Sequence, residues 1–146
     1  MIVRTIEEID KSDAAVKAPT FISRRMLLAK DGMGFSFHDT TLFAGSETLI
    51  WYKNHLEAVY CIEGEGELEV LPDGPTYPIR PGTMYALNGN EKHMLRAKTQ
   101  FRMICVFNPP LTGGEVHDEE GVYPLLIDQP DAPAQAVAEA GAQATQ

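Results

Sequence analysis

At 146 residues the chain is long enough for one domain with a real core and too short for two. A formal net charge of −9, with lysine and arginine nowhere clustered, argues against nucleic acid or an anionic membrane as partner. The hydrophobic content of 44% is ordinary for a soluble protein, and ten prolines and twelve glycines between short β-rich runs favour an all-β fold.

The opening Met1 to Glu8 carries neither the charged start nor the apolar stretch of a signal peptide. No apolar run approaches the ~20 residues of a membrane span. Cys61 and Cys105 each sit in an apolar, strand-like run and read as buried thiols in a reducing compartment, so a cytoplasmic location is expected.

In chain order, Ile2 to Arg4 reads as an opening strand, followed by a short helix with Thr5 as its N-cap. Ser12 to Thr20 is a polar link. Strands are expected over 21–29, 35–43, 47–53, 57–62 and 65–71, with turn clusters at 30–34, near Asn54 and at 72–75. Four more short strands follow at 77–79, 83–87, 93–97 and 101–107, a spacing typical of a sandwich or barrel. Asn108-Pro109-Pro110 stops the last of them, and 111–128 reads as an ordered loop holding Glu115, His117 and Tyr123. From Gln129 the composition turns to Ala, Gln, Pro and Glu, with Val137 the one sizeable apolar side chain. Residues 129–146 are therefore expected to form a disordered tail outside a single domain of residues 1–128.

Two stretches carry the chemistry. His55-Leu-Glu57-Ala-Val-Tyr-Cys-Ile-Glu-Gly64 fits the E-x6-G part of the first cupin motif. Gly82 to His93 fits the frame G-x5-P-x-G-x2-H, except that Asn88-Gly89-Asn90 stands where P-x-G is usual. The His-x-His that normally precedes the glutamate is replaced by Ile50-Trp51-Tyr52. The chain thus resembles a cupin, a jelly-roll-like double-layer β-barrel, with an altered ligand set of Glu57, Tyr85 and His93. A carboxylate, a phenol and an imidazole suit Fe(II), Mn(II) or Zn(II) better than copper(I). Three protein ligands leave positions open for catalysis. His55 reads as a group that orients a ligand, and Tyr52 as a general acid or a core aromatic. Glu115 and His117, two apart on an extended segment, would share one face, either as a proton-transfer pair or as solvated loop residues.

The run Tyr52-Lys-Asn-His-Leu-Glu-Ala-Val-Tyr-Cys-Ile-Glu-Gly-Glu-Gly-Glu67 resembles the ectoine synthases, as does Leu111-Thr-Gly-Gly-Glu-Val-His-Asp-Glu-Glu-Gly-Val-Tyr123 after Cys105-Val-Phe107-Asn-Pro109. The similarity covers roughly residues 1–125. It implies a cupin-like homodimer and an iron-dependent hydro-lyase that closes N-γ-acetyl-L-2,4-diaminobutyrate into ectoine with loss of water. It also implies iron ligands Glu57, Tyr85 and His93 and a substrate pocket of Phe21, Arg25, His38, Thr40, Cys105 and Phe107. Tyr52, Glu115 and His117 would lie close to the chemistry. The family more often has Trp at position 21 and Asn at position 38. The alternatives are another metal-dependent cupin enzyme and a non-catalytic cupin that binds a small ligand.

Overall fold

The structure, a computed structural model, describes residues 1–126; the expected tail at 129–146 lies outside the described residues. The elements are α1 (Ile6–Asp10), β1 (Ala15–Lys17), β2 (Phe21–Leu27), a 3-10 turn (Ala29–Asp31), β3 (Ser36–Leu42) and β4 (Glu47–Ile50). They continue with β5 (Leu56–Glu63), β6 (Gly66–Val70), β7 (Thr76–Ile79), β8 (Met84–Leu87), β9 (His93–Ala97) and β10 (Phe101–Asn108). Two antiparallel sheets form the expected double layer, one ordered β1-β2-β3-β10-β5-β8 and the other β4-β9-β6-β7. The layers are not joined into a closed ring among the described residues, so β1 and β8 end the larger sheet and β4 and β7 the smaller.

Alternation decides which side chains enter the space between the layers. On β5, Glu57, Val59 and Cys61 are buried while Leu56, Ala58 and Tyr60 face out. On β10, Phe101, Met103, Cys105 and Phe107 are buried, and Cys105 is paired with Val59 on one side and His38 on the other. Both cysteines are free and buried, as expected. Gly64 turns the chain out of β5 at φ +88°, and a Cβ there would run into the Gln100 carbonyl, which accounts for the glycine of the E-x6-G frame.

Two expectations need correction. Ile2 to Arg4 form no strand. Ile2 and Val3 are exposed, and Arg4 is held instead by hydrogen bonds to the Asp31 carboxylate and the Met26 carbonyl. The polar link at 12–20 contains a strand, β1, because Ala15–Lys17 pair with Ile22–Arg24 despite their weak β pattern. The helix begins as expected, with a reciprocal capping box between Thr5 and Glu8.

Candidate active site

Residues from both layers and from the segment after β10 converge on one cavity. The larger sheet supplies Phe21 from β2, Thr40 from β3, Cys105 and Phe107 from β10, Glu57 from β5 and Tyr85 from β8. Register explains their meeting: Glu57 pairs with Phe107 and Leu87, and Val59 pairs with Cys105 and Tyr85. Tyr52 enters from beyond the end of β4, and His117 enters from the segment at 111–123.

That segment is a strap tied down along its length. Leu111 donates its N–H to Ser36 Oγ and accepts from Ala29 N–H. Arg25, buried on β2, donates to the Gly113 carbonyl at 2.7 Å and the Glu115 carbonyl at 2.6 Å. Further on, His117 Nε2 lies 2.8 Å from the Tyr52 hydroxyl, and Tyr123 stacks on the Tyr52 ring with centroids 4.9 Å apart. Asn54 Nδ2 donates to the Tyr123 carbonyl and Trp51 N–H to the Gly121 carbonyl.

Burial sets the protonation of the proton-transfer candidates. The Tyr52 phenol is pushed well above its ordinary value by burial and then by neighbouring Tyr123 and Glu57, so it stays protonated. The His117 imidazole is lowered to about 4 by burial and by Arg25, so it is neutral near pH 7. A neutral phenol facing a neutral imidazole can donate at one end and accept at the other.

Of the three expected ligands, Glu57 and Tyr85 line the cavity and His93 lies beside Tyr85. His93 opens β9 on the smaller sheet, with its ring centroid 6.3 Å from that of Tyr85. His93 Nδ1 lies 3.0 Å from the Glu91 carbonyl. A carbonyl only accepts, so Nδ1 carries the proton and Nε2 presents its lone pair. That Nε2 and Glu57 Oε2 are both buried without a hydrogen-bond partner. Burial lifts the Glu57 carboxyl to about 8 and the Tyr85 phenol well above its ordinary value, Glu57 adding to the latter. Buried donor atoms left bare, each costly in a protein-only environment, fit a divalent cation that would offset that cost. Among the described residues no three His, Cys, Asp or Glu side chains form a group that could hold a metal ion, so a metal held here would need the Tyr85 phenol as a third protein donor.

Other expected residues lie differently. His38 is buried, packs 5.0 Å from the Phe107 ring and meets Ser23 Oγ at 3.2 Å through Nδ1, with Nε2 unpartnered. Burial and Arg25 hold it neutral, at about 3. Arg25 and Glu115 line a neighbouring groove that shares Phe21, His117 and Tyr123 with the cavity. Glu115 and His117 both line that groove but have separate hydrogen-bond partners. The Glu115 carboxylate turns back to accept from Thr112 N–H, Thr112 Oγ1 and Gly113 N–H, with Arg25 Nη1 at 3.8 Å. Burial alone would raise its pKa, but the N–H donors of Thr112 and Gly113 outweigh that and lower it. His55 is buried against Phe107 with Nδ1 unpartnered. Sequence reasoning missed Ser23, Thr48 and Tyr123 as lining residues. Only Tyr123 carried a signal, as the large aromatic of the strap.

Comparison with known proteins gives the family. Residues 1–127 match the family described as "Ectoine synthase". The L-ectoine synthase of Desulfatibacillum aliphaticivorans is 60% identical over 130 residues, covering 88% of this chain and all of that protein. The crystal structure of ectoine synthase from P. lautus superposes with a TM-score of 0.79 at 66% identity, covering 92% of this chain and 96% of the other. A cupin domain of an XRE-family transcriptional regulator from Enterobacter cloacae shares the fold at 17% identity and TM-score 0.52, covering 62% of this chain and 98% of its own. With matches that span the barrel and the strap alike, the chain belongs to the ectoine synthase family.

Proposed function

We propose that this chain cyclises N-γ-acetyl-L-2,4-diaminobutyrate to ectoine, as a cytoplasmic homodimer using iron held by Glu57, Tyr85 and His93. The observation that carries the reading is the meeting, around one cavity, of the bare Glu57 Oε2, the Tyr85 phenol and the Tyr52–His117 hydrogen bond, with His93 beside Tyr85. The substrate's α-amine attacks its own acetamide carbonyl carbon, so a C–N bond forms within one molecule. One proton passes from the amine to the carbonyl oxygen. A second follows as the C–O bond breaks, and water leaves behind a cyclic amidine.

The cavity holds the substrate chain curled, which supplies proximity. Phe21 and Phe107 form apolar walls, and Thr40 offers a hydroxyl for orientation. His117, neutral and in contact with Tyr52, takes the amine proton, while the Tyr52 phenol gives one to the oxygen. Bound iron supplies a Lewis acid for that oxygen. The strap, closed over Tyr52, excludes bulk water and favours dehydration.

Pairing into dimers is supported by the open β8 edge and the outward apolar face of β5 and β8, where Tyr60 pairs with Met84 and Leu56 is also exposed. The free thiols Cys61 and Cys105 suit a reducing cytoplasm, and among the described residues no helix is long and apolar enough to cross a membrane. The test is incubation of purified, iron-loaded protein with the substrate, followed by chromatography for ectoine. Substrate binding without turnover would favour a non-catalytic cupin instead.

A further inference from the structure

Asn90 stands where the cupin frame has its second glycine, and its backbone keeps a glycine-like conformation, with φ at +55°. Asparagine tolerates that left-handed region better than most side chains, but glycine would satisfy the turn at no steric cost. The side chain present here makes contacts a glycine cannot. Its Nδ2 donates to the Tyr52 carbonyl at 2.8 Å and to the His55 carbonyl at 3.1 Å. Its main-chain carbonyl accepts the Trp51 indole N–H at 3.1 Å.

These bonds act where the ladders stop: Ile50 pairs with His93 and Glu57 with Leu87, but residues 51–55 between them belong to no strand. The β8–β9 connection, which contains Asn90, runs between Tyr85 and His93. The segment at 51–55 carries Tyr52 and leads into Glu57. Tyr52 lies beyond Ile50, the last residue of β4, so no sheet ladder fixes its backbone. Its ring is held from the other side by His117 and Tyr123. Asn90 is thus the bridge from the β8–β9 turn to the main chain of Tyr52.

We propose that Asn90 is a positioning residue, whose side-chain amide clamps the 51–55 segment and thereby sets the Tyr52 hydroxyl relative to Tyr85 and His93. The inference rests on the reading of Tyr52 as a proton-transfer group. A displacement of about 1 Å in such a group can cost about a hundredfold in rate.

The experiment compares wild type with Asn90→Gly, which restores the frame residue and keeps the turn, and Asn90→Asp, which sets an anionic oxygen against two carbonyls. Steady-state kinetics should show kcat reduced at least about tenfold in both, with KM within about threefold of wild type. Trp51, the single tryptophan of the chain, should become more accessible to acrylamide quenching in both variants. Turnover by Asn90→Gly within about twofold of wild type would overturn the proposal. So would a loss carried by KM alone, which marks general loosening of the pocket. If wild type itself makes no ectoine, the reading of the reaction fails, and quenching alone decides the clamp. Raised quenching in Asn90→Gly then supports it, and unchanged quenching overturns it.

Discussion

The Tyr52 hydroxyl and His117 Nε2 stand 2.8 Å apart although 65 positions separate them in sequence. The strap is what brings them together, and burial keeps both neutral. Tyr52→Phe and His117→Ala should each lower kcat by ~10²–10⁴-fold. Because the two act as one unit, the double variant should be little worse than the poorer single variant. Losses that multiply in steady-state kinetics would show two independent groups.

The Glu115 carboxylate is committed to the strap's own turn. Glu115→Gln replaces one acceptor oxygen with an amide donor among N–H groups, leaving buried partners unsatisfied at a cost of ~1–3 kcal/mol. Melting temperature should therefore fall together with kcat. A large loss of kcat at unchanged melting temperature would return Glu115 to the role of a free base.

Metal content isolates the ligand set from the rest of the mechanism. Glu57→Ala and His93→Ala should each purify with far less iron than wild type while keeping the β-sheet circular dichroism spectrum. Chelation of wild type should abolish cyclisation, and added Fe(II) should restore it. Full iron content in either variant would remove that residue from the ligand set.

Acid stability depends on the anchor of the N-terminal segment. Asp31 accepts both Arg4 guanidinium nitrogens at 2.8 Å and Leu28 N–H at 2.9 Å. The hydrogen bond from Arg4, then that from Leu28, lowers its pKa to about 2. Because the folded value lies below the unfolded one, the anchor stabilises fully above the ordinary carboxylate range and loses that contribution as pH falls towards about 2. Asp31→Asn should lower the melting temperature at neutral pH, and the difference from wild type should vanish at the acid end. A gap that stays constant across this range would show that the charge contributes nothing.

The outward face of β5 and β8 gives the dimer its test. Light scattering should give the mass of two chains for wild type. Met84→Lys, on a side chain 62% exposed, should shift the equilibrium towards monomer. Wild type that stays monomeric across a wide concentration range would overturn the assembly.

The legible parts of the fold were those set by side-chain period. His93–Ala97 and the β5 run alternate buried and exposed residues, so strand and inward face could be read together. Glu57 and Tyr85 could be placed at the cavity because each lies within a frame punctuated by glycines. The commitment of the Glu115 carboxylate was not legible, because it depends on the chain turning at Gly113, where φ is +114°, to bring Thr112 and Gly113 N–H onto it. Ser23 and Thr48 were hidden for another reason. Each is one small polar residue on a strand, and only cross-strand register makes it a wall of the cavity. Ile2 to Arg4 have strand-like composition, but strand formation requires a sheet edge beside them, which composition cannot supply.

β10, the last strand among the described residues, occupies the middle of the larger sheet between β3 and β5. A ribosome therefore releases the flanking strands well before their shared neighbour. Until Phe101–Asn108 emerges, β3 and β5 each present an unpaired row of N–H and C=O groups, an invitation to pair with other chains. The sheet closes by insertion at its centre, a late, long-range step that favours slow folding. Cys105 and Phe107 ride on that strand, so during biosynthesis the reaction pocket acquires them only as the sheet itself becomes whole.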